Sequence, residues 1–372
     1  MILFPVARKQ GPLLFANRRA LSDFVPRFEF PQYNIPLSDF KGHQVKALRK
    51  FQYLAPQLNM VLELRDLRAP LSTRNVLFDK FFMGGNEKIK RLIVYTKKDY
   101  MPQSTTLLNT LTRWHNEMNE DFIILDGKSR TDVKNLMKVL EWQSNKLVEN
   151  EVPLPMGYRI LVTGMPNVGK STLVNSLRYI NYSKRNPNSR GAKVSRTGDQ
   201  AGVTRSTSEI IKISREGASQ GIYLIDSPGI GLPGRVSSQS RILAQALCNC
   251  VKDTLIDPVV QADYLLFLMN LQKMHNGVEW YQDYKKNPTN DIYAIFNRSY
   301  DMHKLSETTA AIAWINQWKK KGKNILFDIE PLLGPDEFSY KEYLIKDLKK
   351  IEDFSIENTR LNIPGSSKQV FL

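Results

Sequence analysis

The sequence predicts an α/β fold: a doubly wound, mostly parallel sheet followed by a smaller helical region. Three observations predict it. Short β-rich runs alternate with longer helical patterns from about residue 60. A glycine-rich loop of phosphate-binding type sits between one such run and a helical stretch. The alternation stops near residue 241, and the remainder of the chain reads as helical. Strands joined through helices pair in parallel and gather ligands at their carboxyl ends.

The elements run in order along the chain. Residues 1–22 hold Arg8, Lys9, Arg18 and Arg19 and no acid, interleaved with apolar Ile2, Leu3, Phe4, Val6 and Leu13 to Phe15. That is the character of a mitochondrial transit peptide, so residues 1–35 are expected to be a basic targeting segment. Expected strands are Met60–Leu64, Leu92–Thr96, Phe122–Leu125, Arg159–Thr163 and Ile222–Ile225. Helical patterns lie at Leu107–Glu117, Val133–Leu147 and Thr172–Tyr179. Residues 181–203 are dominated by Asn, Ser, Arg and Gly and read as a loop. Residues 36–240 are thus expected to form one α/β domain and residues 241–372 a helical one.

Composition sets the outer bounds. The chain has 372 residues, 42% apolar and 24% charged, which excludes a wholly disordered or collagen-like chain. Its longest apolar runs, such as Tyr264 to Met269, fall far short of the ~20 residues of a membrane span. Lys plus Arg number 53 against 37 acids, a net charge of +16. Residues 1–40 carry +2, residues 41–240 carry +14, and the remainder is neutral. Such a surplus points to a polyanionic partner. Cys248 and Cys250 cannot form a disulfide framework, and the four histidines show no zinc spacing.

The strongest signal is Gly164-Met-Pro-Asn-Val-Gly169-Lys170-Ser171, a full match to G-x-x-x-x-G-K-[ST] between a strand and a helix. Its backbone from Pro166 to Thr172 is placed to wrap phosphates, with the N–H groups coming from Asn167, Val168, Gly169, Lys170, Ser171 and Thr172. Lys170 would reach the β- and γ-phosphates, and the Ser171 hydroxyl would bind Mg²⁺. Downstream, Asp226-Ser-Pro-Gly229 ends a strand. Asp226 would hold the Mg²⁺ shell, and Gly229 would offer its N–H to the γ-phosphate. Thr204 would complete the metal sphere only with γ-phosphate present, which makes a switch.

A base-reading element precedes the phosphate loop. In Thr96-Lys97-Lys98-Asp99, Asp99 would accept two hydrogen bonds from a guanine edge while Lys97 covers the ring. Thr96 stands where an asparagine tether is usual, so that tether is expected to change. Gly127 and Lys128, after the next strand, are the second base-contact loop. The order is therefore base loop, phosphate loop, switch, metal aspartate: a circular permutation of a Ras-like G domain.

These residues resemble the circularly permuted ribosome-assembly GTPases, the ribosome biogenesis GTPase A family. Two further stretches carry the likeness over about residues 38–265. Phe40-Lys-Gly-His43-Gln-Val-Lys46-Ala47 is similar to F-P-G-H-M-x-K-A, with Lys41 in place of proline. Residues 59–75, NMVLELRDLRAPLSTRN, are similar to D-x-V-x-E-x-x-D-A-R-x-P-x-x-x-R-N. The resemblance implies an Mg²⁺-dependent GTP hydrolase, active as a monomer. It implies large-ribosomal-subunit or rRNA partners and a mitochondrial matrix location, with peripheral inner-membrane contact. Ile230 occupies the usual water-orienting position and cannot do that work, so the resemblance hands the role to His43. It likewise implies a K⁺ ion beside Asn167, supplying charge at the phosphates. Seven basic residues within 176–208, and Lys41, Lys46, Arg49 and Lys50, are the expected RNA contacts. A nucleotide-gated RNA or membrane adapter with negligible hydrolysis is the competing expectation.

Overall fold

The computed structural model describes residues 24–40, 42–83, 89–101, 105–150, 154–185, 210–214, 220–276, 288–298, 304–321, 324–330 and 338–354. Thr204, most of the 181–203 loop, the basic residues 1–23 and the side chain of His43 lie outside this set.

Among the described residues six strands form one sheet, ordered β3-β2-β1-β4-β6-β5. They are β1 (Met60–Asp66), β2 (Lys90–Thr96), β3 (Asp121–Ile124), β4 (Tyr158–Gly164), β5 (Ile210–Ser214) and β6 (Ile222–Asp226). All neighbours pair in parallel except β5, which runs antiparallel to β6. The five expected strands are present, each within about two residues of its expected bounds. β5 is an addition: its five residues are too short a pattern to register beside the polar loop. Residues 181–185, expected as loop, instead complete helix α5 (Lys170–Arg185).

The strand order fits the permutation. The base-loop strands come first in sequence yet sit on one side of β4, while β6 and β5 sit on the other. Helix α4 (Arg130–Glu149) makes the new junction, carrying the chain from edge strand β3 to central β4. Ser129 caps it, its side chain accepting from the Asp132 N–H at 3.3 Å. Register then puts Asp66 beside Thr96 and Val162 beside Asp226, so every functional loop leaves the same end of the sheet.

β2 shows how the sheet is covered. Leu92 and Val94 join the main core, whereas Ile93 and Tyr95 join a second cluster with α3 (Thr105–Met118) and α10 (Tyr340–Lys350). Alternate residues facing opposite sides give this split. The main core also takes the buried run Tyr264–Met269 of helix α7 (Pro258–Asn276), together with α9 (Glu307–Lys321). Among the described residues, no helix is long and apolar enough to cross a membrane. The extended segment before α1 (Gly42–Leu54) lies along α7: Arg27 pairs with Asp263 at 2.6 Å, and Phe30 packs edge-on against Tyr264.

β1 is buried along its whole length although it carries Glu63, Arg65 and Asp66. Buried charges require partners, and an ionic chain supplies them. Arg65 binds Glu63 at 2.8 Å, and Glu63 also meets Arg91 of β2 at 3.2 Å. Arg91 pairs with Asp79 of α2 (Val76–Met83) at 2.6 Å and with Glu120. Asp79 binds Arg74, and both Arg74 and Arg241 reach Asp347 of α10. Burial alone would raise the Glu120 carboxyl, but the His115 hydrogen bond and the Arg91 guanidinium hold it down at about 2. Asp347→Ala leaves two buried guanidinium groups short of a carboxylate. We expect it to cost about 3–5 kcal/mol, read as a lower midpoint in urea unfolding of the full chain.

Candidate nucleotide-binding site

The phosphate loop leaves β4 through three left-handed residues. Gly164, Asn167 and Gly169 have φ of 148°, 58° and 96°. A side chain at Gly164 would strike the Leu64 carbonyl at 2.4 Å, so β1 itself demands glycine there. The turn aims the start of α5 at the loop's concavity, the arrangement that gathers phosphate oxygens. Lys170 is buried and donates to the Met165 carbonyl at 2.5 Å. Burial pushes its amine down to about 8 against the opposing pull of Asp226.

Asp226 ends β6 fully buried, next to β4 in the sheet. With the Ser171 hydroxyl it gives a pair of hard oxygen donors at the loop, and a buried carboxylate set against a cationic lysine suits a hard divalent ion. These residues fit Mg²⁺. Gly229 presses on the loop: a Cβ there would lie 2.6 Å from the Pro166 backbone. Ile230 is fully buried and donates its N–H to the Gly164 carbonyl at 3.2 Å, so it faces the core.

The base loop is tied to the phosphate loop. Thr96 is buried and its hydroxyl donates to the Val168 carbonyl at 2.6 Å. The expected change of tether is therefore a replacement, with a hydroxyl doing what an amide does elsewhere. Lys97, at φ 61°, places its ammonium 2.8 Å from Asp66. Asp99 is exposed on a short 3-10 turn, open to a ligand edge. The second base loop adjoins it, since the Lys98 N–H points to the Leu125 carbonyl at 3.4 Å. Gly127 lies against Thr172, and its carbonyl accepts from Ser176 at 2.7 Å. Lys128 is exposed beside it. The structure thus brings together Thr96, Lys97, Asp99, Gly127, Lys128, residues 166–172, Asp226 and Gly229.

Several contributors could not be read from the sequence as contacts. Gln44, next to His43, accepts from the Gly231 N–H at 2.6 Å and so fixes the start of α1 against the 229–231 segment. Asn75 holds the same segment from the other side, donating to the Ile230 and Gly231 carbonyls at 2.8 and 3.1 Å. Both lie in the motif stretches, and that placement was their only signal. Asp66, the partner of Lys97, also grips Arg68, and these two cations hold its carboxyl well below the usual range against its burial. Asp328 approaches from the C-terminal side, accepting from the Leu71 and Ser72 N–H groups at 2.6 and 3.1 Å. Burial, with help from Glu330, pushes its carboxyl up to about 7. Thr96→Val removes the loop tether and leaves a buried carbonyl unpaired. Guanine-nucleotide affinity, measured by titration calorimetry, is expected to fall about tenfold, and Thr96→Asn to recover it.

Residues 159–298 match the family model described as a 50S ribosome-binding GTPase. The chain is 52% identical to Mitochondrial GTPase 1 of Saccharomyces cerevisiae, over 94% of this chain and 96% of that one. It is 31% identical to Mitochondrial ribosome-associated GTPase 1 of Xenopus tropicalis, over 70% of this chain and 78% of the relative. A solved structure, GNP-bound YlqF from T. maritima, aligns at 19% identity with a TM-score of 0.45, over 76% of this chain and 97% of that one. With a complete phosphate loop, an aspartate at the base loop and that extent of identity, the chain belongs to the mitochondrial GTPase 1 family and is a GTP hydrolase.

Proposed function

We propose that this GTPase binds the large subunit of the mitochondrial ribosome, or its rRNA, and promotes its assembly, with hydrolysis timing release. The observation that carries this reading is the joining of base loop, phosphate loop and metal aspartate at one sheet end in a strongly basic chain. The relatives' names point to the same partner.

Residues 36–240 act as the G domain and residues 241–372 as the helical region that meets the particle. Mg²⁺, when bound, neutralises charge on the β- and γ-phosphate oxygens. Ser171, Asp226 and Thr204 are its protein ligands, and Lys170 steadies the phosphates. Pro166 to Thr172 and the Gly229 N–H cradle the nucleotide, while Asp99 reads guanine with Lys97, Gly127 and Lys128 around the base. His43 orients the attacking water. The Gln44–Gly231 hydrogen bond supports this, because it keeps the first turn of α1 beside the segment after Gly229. Asn167 would hold K⁺ beside the phosphates, and its side-chain N–H donates to the Asn249 carbonyl at 2.8 Å.

RNA contact is favoured by exposed cations on two helices. Lys46 and Lys50 project from α1. Arg130, Lys134, Lys138, Trp142 and Lys146 are exposed at four-residue intervals along α4. Such a row forms one ridge on a helix and suits a phosphate backbone with a stacking base. The protein works as a monomer in the matrix, in peripheral contact with the inner membrane. The packing of Arg27 and Phe30 on α7 supports a targeting segment that ends before them, short of the expected residue 35.

The test is GTP turnover in Mg²⁺ buffer, in KCl or NaCl, with and without mitochondrial large subunits. Turnover is expected to rise about 10²-fold or more with particles, to need K⁺ rather than Na⁺, and to lose that stimulation in His43→Ala. Tight GTP binding with no stimulation would establish the adapter reading instead. Equal rates in the two salts would remove the K⁺ site, and a fully stimulated His43→Ala would remove the histidine.

A further inference from the structure

Helix α6 (Gln239–Leu247) directly succeeds the 226–238 segment that starts at the metal aspartate. It ends in a left-handed cap. Asn249 has φ 59°, its N–H donates to the Ala246 carbonyl at 2.9 Å, and the Cys250 N–H donates to Gln245 at 2.8 Å. Asparagine tolerates this conformation at modest cost, and the cap consumes its N–H. Its two oxygens are used elsewhere. The backbone carbonyl accepts from Asn167 Nδ2 in the phosphate loop at 2.8 Å. The side-chain Oδ1 accepts from Lys319 Nζ of α9 at 2.7 Å.

One residue thus stands between the phosphate loop and the C-terminal helices. Lys319 is half-buried. Burial, and then the nearby Arg68 guanidinium, push its amine down to about 8 against opposing pulls from Cys248 and Asp253. A desolvated lysine beside a guanidinium is an unfavourable choice for packing alone, where an apolar side chain would serve. The hydrogen bond to Asn249 is the contact that gives it a use.

We infer that Asn249 and Lys319 are positioning residues for GTP hydrolysis: they fix the Asn167 amide, and so tie the rate to the placement of α9. α9 lies in the region proposed to meet the ribosomal particle, so displacement of Lys319 would release the phosphate loop. The inference rests on hydrolysis at this loop and requires neither K⁺ nor the particle.

The experiment is single-turnover GTP hydrolysis by the purified full chain without ribosomes, beside GTP affinity and Tm. Asn249→Gly keeps the left-handed cap and its carbonyl but removes Oδ1. Lys319→Met keeps the packed stem but removes the donor. Each is expected to slow hydrolysis about three- to thirtyfold, with GTP affinity within about twofold and Tm near the parent's. Because both act through one contact, the double variant is expected to be no slower than the slower single one. Lys319→Arg, which can still donate to Oδ1, is expected to recover most of the rate. An unchanged rate in both single variants overturns the inference. So do losses that multiply in the double variant, or slowing that only accompanies lost Tm or lost GTP affinity, since those mark independent or merely structural roles.

Discussion

The constraint on which this structure turns is the burial of three charged residues on one central strand. β1 is covered on both faces and hydrogen-bonded on both edges, so Glu63, Arg65 and Asp66 cannot reach bulk water. An unpaired charge in that position would be prohibitive. Beyond the Arg65–Glu63 pair, the direct partners are Arg91 of β2 for Glu63, Arg68 and Lys97 for Asp66, and Tyr340 of α10 for Arg65, and Arg91 extends the chain through Asp79 and Arg74 to Asp347 and Arg241. Meeting one strand's electrostatic demand thus fixes α10 against the sheet. The same demand aims the base loop, since Asp66 holds Lys97 at 2.8 Å and keeps that turn left-handed beside Asp99.

The phosphate loop is the second point of convergence. Thr96 reaches it from the base side, Gly229 and Ile230 from the metal side, and Asn249 from the helical region. Each contact uses a backbone atom of the loop or its one amide side chain. The loop's shape is therefore set by its surroundings as much as by its glycines, and a shift in any of the three neighbours is felt at the others.

Much of this was legible in the sequence because it is local. Each strand of the parallel sheet contains a short apolar run, and the phosphate loop needs its residues at fixed spacing between a strand and a helix. The base-loop aspartate could be placed because it ends a strand. The features that stayed hidden depend on pairings across the fold. Thr96 looked like a weakened tether, yet its hydroxyl meets Val168 because the two loops leave neighbouring positions at the same sheet end. β5 is a five-residue edge strand whose pairing with β6 no short pattern announces. Asn249 and Lys319 carry no motif, and only tertiary packing joins them to Asn167. The ionic residues of β1 lie inside a family motif, but their roles come from partners up to 275 residues away, as in the Arg65–Tyr340 contact.

Permutation itself gives the last step. Moving the base-loop strands ahead of the phosphate loop leaves the segment after Asp226 free to enter a new helix instead of returning to the sheet. That helix is α6, and its far end comes back to the phosphate loop through Asn249. The stretch made of the segment and α6 is thereby tied to the phosphate loop at Ile230 and again at Asn249, and Gln44 and Asn75 hold it near its start. The segment runs straight into α6, and α6 carries Arg241 into the ionic chain that reaches α10. In an unpermuted arrangement the same loop would lead back into the sheet. Here the chain order joins the segment after Asp226 directly to the helical region.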